Sequence, residues 1–98
     1  MFVGTLELDV LLGDVHSLKQ KRGLIRPVIA ELRRTHEVAV AEVGHQDLHR
    51  RSLIGVATIA EEAGRCTEIL DLCERLVAAR PELDLLSARR VLRSSSDE

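Results

Sequence analysis

Residues 37–60 read EVAVAEVGHQDLHRRSLIGVATIA. Val38, Val40 and Glu42 fall on one parity of the first half, and Ala39, Ala41 and Val43 on the other. Valine-rich alternation with period two reads as a strand over residues 37–46. Either parity fits a core-facing side. Leu53, Ile54, Val56 and Ile59 mark a second strand over residues 51–60, with Gly55 inside it, where a neighbour comes close. The polar run His45-Gln46-Asp47-Leu48-His49-Arg50 is the turn between them. The pair is a hairpin, and what flanks it decides the fold.

Towards the N-terminus lies a helix. Ser17 stands as N-cap with Gln20 three residues later, a capping-box spacing. Leu18, Ile25, Val28, Ile29, Leu32 and His36 trace a helical stripe over about residues 17–35. Pro27 lies inside this helix, removes the bond to the Gly23 carbonyl, and is expected to kink it. Before the helix, residues 2–12 alternate: Phe2, Leu6, Leu8 and Val10 against Thr5, Glu7 and Asp9. That is a half-buried strand, ended by Gly13-Asp14.

Towards the C-terminus the pattern is clearest. Cys66, Ile69, Leu70, Cys73, Leu76 and Val77 follow helical spacing without a miss, and Pro81 stops that helix. Residues 83–92, LDLLSARRVL, are a fourth, poorly alternating strand. The order is therefore β, α, β, β, α, β. Two βαβ crossovers joined by a hairpin define an α+β ferredoxin-like fold, a four-stranded antiparallel sheet with both helices on one face. Right-handed crossovers place the first and third strands in the centre. The expected core holds Leu6, Leu8, Val10, Ile25, Ile29, Leu32, Ile69, Leu70, Cys73 and Leu76. Val3, Ile54 and Val56 are candidates for the uncovered face, either parity of the third strand being open; an exposed apolar patch marks an interaction site, and a homodimer through that face or an edge strand is expected.

Ninety-eight residues suit one domain, read as residues 1–93 with a disordered tail over 94–98. Hydrophobic residues are 45% and Phe2 is the only aromatic, so Leu, Val, Ile and Ala must build the core. The first residues carry no basic segment, and Glu7 and Asp9 interrupt them, so they are not expected to be a signal peptide. No apolar run reaches the roughly 20 residues of a membrane helix, so the expectation is a cytoplasmic protein without membrane contact. Cys66 and Cys73 lie seven residues apart, about 10.5 Å along a helix, beyond the roughly 7 Å that a disulfide spans. Both are expected to be reduced core thiols.

The net charge of −2 hides a segregation. Residues 17–36 hold Lys19, Lys21, Arg22, Arg26, Arg33 and Arg34 against Glu31 alone. Ser17, Lys19, Lys21 and Arg22 form the candidate anion or phosphate site, because a helix N-terminus presents free N–H groups and a positive dipole end. Cations there oppose the dipole, so replacing Lys19, Lys21 and Arg22 together is expected to leave stability unharmed. Glu42, Gln46 and Asp47 form a candidate polar site. Glu42 either pairs with a basic residue of the first helix or lies on the open sheet face, and Gln46 and Asp47 close the turn. His45, Asp47 and His49 lack the partners of a metal motif. No Walker loop, GxGxxG or nucleophile constellation occurs. No enzyme, metal or cofactor is expected.

The elements HSLKQKR at 16–22, LRRTHEVAVAEVGHQDLHRRSLIGVA at 32–57 and the ending RPELDLLS resemble the YlxP-like family, bacterial proteins of unknown function, over about residues 2–92. The resemblance implies a small ferredoxin-like protein. Genes of the family often stand among genes for translation initiation and ribosome maturation, which implies a role near the ribosome. A ribosomal particle or RNA is the expected partner. A small-molecule sensor with its site over Gly13–Arg22, or a structural homodimer subunit, is the alternative. The lack of aromatics on the central strands argues against base stacking as an RNA mode.

Overall fold

The structure, a computed structural model, describes residues 1–96. Six elements follow in the expected order: β1 (Phe2–Leu12), α1 (Leu18–Thr35), β2 (Ala39–Gly44), β3 (Arg51–Ala60), α2 (Ala63–Ala78) and β4 (Leu83–Ser94). They form one antiparallel sheet of order β2-β3-β1-β4, the ferredoxin-like arrangement.

Register decides which residues are buried. Leu6 stands opposite Val56, Leu8 opposite Ile54 and Val10 opposite Ser52. Directly opposed residues share a face, so Ile54 and Val56 lie on the helix-covered side, 0% and 3% exposed. The expectation that they belong to the open face is corrected: β3 takes the parity that matches the Leu-Leu-Val run of β1. Val3, opposite Ile59, does face the open side. In β2 the Val38-Val40-Glu42 parity points to the helices, with Val40 opposite Val56.

Leu6, Leu8, Val10, Ile25, Leu32, Ile69, Leu70 and Cys73 are buried, while Ile29 and Leu76 flank the core. Leu12, Val15, Val28, Val77 and Leu83, with Val40, Ile54 and Val56, complete it. Gly4 allows the close approach of α2: a Cβ there would lie 2.9 Å from Leu70 Cδ1 and 3.3 Å from Cys66 Cβ.

Two strand boundaries differ from the sequence reading, while α1 keeps its expected span. The strand expected over 37–46 is only Ala39–Gly44, because Val38 N–H turns back to His36 O and His45 takes φ 59°. α1 runs unbroken through Pro27, which sits on the solvent side; the Gly23 carbonyl that loses its donor is exposed and open to water. β4 extends to Ser94, and Ser95 N–H donates to Met1 O at 2.7 Å. The start of the expected tail is thus tied to the sheet, and residues 97–98 lie outside the described residues. The irregular pattern of β4 has a local cause: a bulge at Leu86, between Ser87 opposite Asp9 and Leu85 opposite Val10, switches its parity.

Candidate functional site at the start of the first helix

The start of α1, the end of β1 and the β2–β3 turn meet at one end of the sheet. Ser17 is the N-cap, its Oγ accepting from Gln20 N–H at 3.1 Å. Gln20 Oε1 reaches back to accept from His16 N–H at 2.7 Å. The side chains of the predicted box therefore bond, with the return bond one residue earlier than in the usual motif.

Lys21 is the surprise. It points inward from α1 and is 2% exposed. Its Nζ lies 3.0 Å from Glu42 Oε2 and donates to the carbonyls of His45 at 2.6 Å and Gln46 at 3.4 Å. Three protons meet three acceptors, the condition under which an ammonium tolerates burial. Glu42 Oε2 also accepts from Ser52 Oγ at 2.5 Å, a hydroxyl buried on the helix-facing side of β3. Of the two positions open to Glu42, the structure gives the pairing with α1. The left-handed His45, a conformation uncommon for a non-glycine residue, turns the 45 and 46 carbonyls towards Lys21.

The same turn is fastened to β1. Arg51 makes a two-pronged contact with Asp9, 3.2 Å from Nε and 2.6 Å from the terminal nitrogen. His45 Nε2 lies 3.7 Å from Asp9 Oδ2. Arg50 Nε donates to Leu12 O at 3.2 Å and Gly13 O at 2.8 Å. Gln46 Nε2 donates to Glu42 O at 3.4 Å, closing the turn as expected. Asp47 is exposed and contributes no contact.

The proposed anion site thus divides. Lys21 leaves it, because its charge is neutralised internally by Glu42. Ser17 keeps a capping role. Lys19 and Arg22 remain, exposed and without an ion-pair partner among the described residues. Arg26 joins them four residues on, equally exposed and unpaired. Spacings of three and four residues place Lys19, Arg22 and Arg26 on one face of α1. At their foot a groove of about 240 Å³ runs between α1 and β2, lined by Lys21, Arg22, Ile25, Arg26, Ile29 and Glu42. Arg33, counted with the free cations in the sequence, instead donates to Val40 O. Among the described residues no three His, Cys, Asp or Glu side chains converge as a metal site needs. Both cysteines are free and buried.

Sequence reasoning missed Asp9, Arg51 and Ser52. Ser52 carried a readable signal, a polar residue on the buried parity of an otherwise apolar strand. Asp9 and Arg51 did not, since their pairing depends on the β1–β3 register.

The fold and this site define a small ferredoxin-like α+β protein with one basic helix and an internally neutralised lysine behind it. The chain belongs to the family described as protein of unknown function (DUF503), whose model matches residues 3–90. It is 23% identical over 82 residues to the uncharacterized protein YlxP of Bacillus subtilis (strain 168), covering 84% of this chain and 89% of that protein. The YlxP-like resemblance therefore holds across most of the domain. Among solved structures it is similar to a de novo designed protein with a ferredoxin fold, at TM-score 0.53 and 15% identity over 99% of this chain and 89% of that one. That likeness concerns the fold alone. No helix is long and apolar enough to cross a membrane among the described residues.

Proposed function

We propose that this protein is a non-enzymatic RNA-binding protein, acting on a ribosomal particle, that grips phosphates with the Lys19-Arg22-Arg26 face of α1. One observation carries the reading: these cations stand in line without a carboxylate to balance them. Elsewhere Arg51, Arg65, Arg80 and Arg90 each have an acidic partner. Arg33 and Arg50 bond to backbone carbonyls instead; Arg34, Arg75, Arg89 and Arg93 also lack an acidic partner, but Arg34 stands at the far end of α1, Arg75 on α2 and the other two on the far side of the sheet. The first turn of α1 has no acidic residue, so the positive dipole end adds to the field of the side chains. Phosphate contacts of this kind give position and affinity with little sequence discrimination. The family resemblance, with its implied neighbourhood of translation genes, points to ribosomal RNA among the RNAs available.

The test is binding to ribosomal subunits and to a ribosomal RNA fragment across a salt series. A K19Q/R22Q/R26Q variant is compared with R65Q/R75Q on α2. The wild type and the α2 variant are expected to bind alike, and the α1 variant to lose most of its affinity. Equal losses in both variants, or a wild type that never binds, would overturn the reading.

A further inference from the structure

The sheet face turned away from the helices is uncovered, and its two halves differ in relief. Over β2 and β3 the small residues Ala39, Ala41, Gly55 and Ala57 line a depression of about 520 Å³, with the larger Val43 and Leu53 at one end and Val43 leaning over Gly55. Over β1 and β4 stand longer ones, Glu7, Arg89, Val91 and Arg93. Ala41 is opposite Gly55, Gly55 opposite Glu7 and Glu7 opposite Arg89, so these four form one row across the sheet. Glu7 lines the depression and is half-buried without an ion-pair partner; Arg89 and Arg93 are exposed and equally unpaired. A half-buried carboxylate beside a hollow, and free guanidinium groups on the adjoining ridge, are complementary parts on a single surface.

We propose that a second copy of this chain covers this face, related by a two-fold axis running along the strands between β3 and β1. Rotation about that axis lays β4 of each copy over β2 of the other and brings each row against its own equivalent. Arg89 of each copy then enters the hollow over Ala41 of the other, beside Val43, within reach of Glu7 across the roughly 10 Å between packed sheets. Every contact occurs twice, as an isologous interface requires. Four strands spaced about 4.8 Å apart and eight to ten residues rising about 3.3 Å each give roughly 600 Å² per copy. The pair hides about 1,200 Å², the lower bound for a stable interface. Val43 and Ile59, 50% and 64% exposed, fall within the covered area. The α1 face stays outward, so this inference is independent of the RNA reading.

Pairing through the free edge of β4 is less favourable. Arg89, Arg90 and Arg93 crowd that edge, and charge is a usual guard against edge-to-edge association.

Sedimentation equilibrium at micromolar concentrations tests the proposal, with circular dichroism to confirm that each variant is folded. The wild type is expected at twice the chain mass. E7R and R89E, placing like charges together, should each weaken association at least about tenfold, and the E7R/R89E double variant should recover it. A41R, at an exposed position, should also give single chains by filling the hollow. A wild type at single-chain mass overturns the proposal. So does a dimer that E7R, R89E and A41R all leave intact, which would place the contact elsewhere.

Discussion

Lys21 shows how one side chain can change meaning on folding. In the sequence it is one of three cations at a helix start, where a solvated lysine can be removed without harm. In the fold it joins α1 to β2 through Glu42 and to the turn through the carbonyls of His45 and Gln46. Lys21→Met is therefore expected to cost about 2–4 kcal/mol, since it strands the Glu42 carboxylate and two carbonyls; urea denaturation would measure it. Adding Glu42→Leu should return part of the loss, because removing both charges also removes the stranded one. Lys19→Gln, on the exposed side, should change stability by no more than a few tenths of a kcal/mol. The thiol of Cys73 makes a second prediction at this scale. Burial pushes its pKa from 9.0 up to about 11. The folded protein keeps this proton where the unfolded chain gives it up, so the contribution to stability is intact below pH 9 and falls as pH rises from there through 11. At pH 8 a thiol reagent should label Cys73 only as fast as the protein opens; rapid labelling of both cysteines in the folded state would contradict the burial.

At the scale of elements, two glycines on neighbouring strands separate close packing from mere contact. A Cβ at Gly4 would strike Leu70 and Cys66, both on the buried face of α2. A Cβ at Gly55 would lie 2.8 Å from Val43 Cγ1, a side chain half open to solvent with room on that side to give way. Gly4→Ala should destabilise by about 1–3 kcal/mol, while Gly55→Ala should stay within about 1 kcal/mol. Thermal or urea melts of the two variants would compare them, and equal effects would refute the argument. Element order, both helices and most of the core were legible because the periodicities of β1 and α2 are regular. What escaped was register. Nothing local in LIGVATI says whether Ile54 or Leu53 turns inward; the choice falls to the match with Leu6, Leu8 and Val10 on a strand more than forty residues away. The β4 bulge hid its alternation for the same reason, since the extra residue exists only relative to β1.

For the whole molecule, the segregated charge was legible, but its availability was not. Six cations precede residue 36, yet folding withdraws Lys21 and Arg33 and leaves a ridge of three along α1, with Arg34 at its end. Such a ridge has a quantitative signature. If Lys19, Arg22 and Arg26 each neutralise one phosphate, the logarithm of the binding constant should fall with that of salt at a slope of about −2 to −3, and K19Q/R22Q/R26Q should flatten it towards zero. A slope unchanged in that variant would mean that other cations, such as Arg89 and Arg93, hold the RNA. The candidate polar site was half legible: Glu42 stood out among valines, whereas its partners Ser52 and Lys21 come from other elements.

The central place of β1 also sets an order in time. It precedes the other five elements in the chain, yet its neighbours begin at Arg51 and Leu83. Leu6, Leu8, Val10 and Leu12 must therefore wait in the nascent chain with both strand edges open. Closing those long loops adds entropy cost only slowly with length, but the search for distant partners slows folding relative to a bundle of local helices. Until β4 docks, the most apolar strand of the protein is also its least protected.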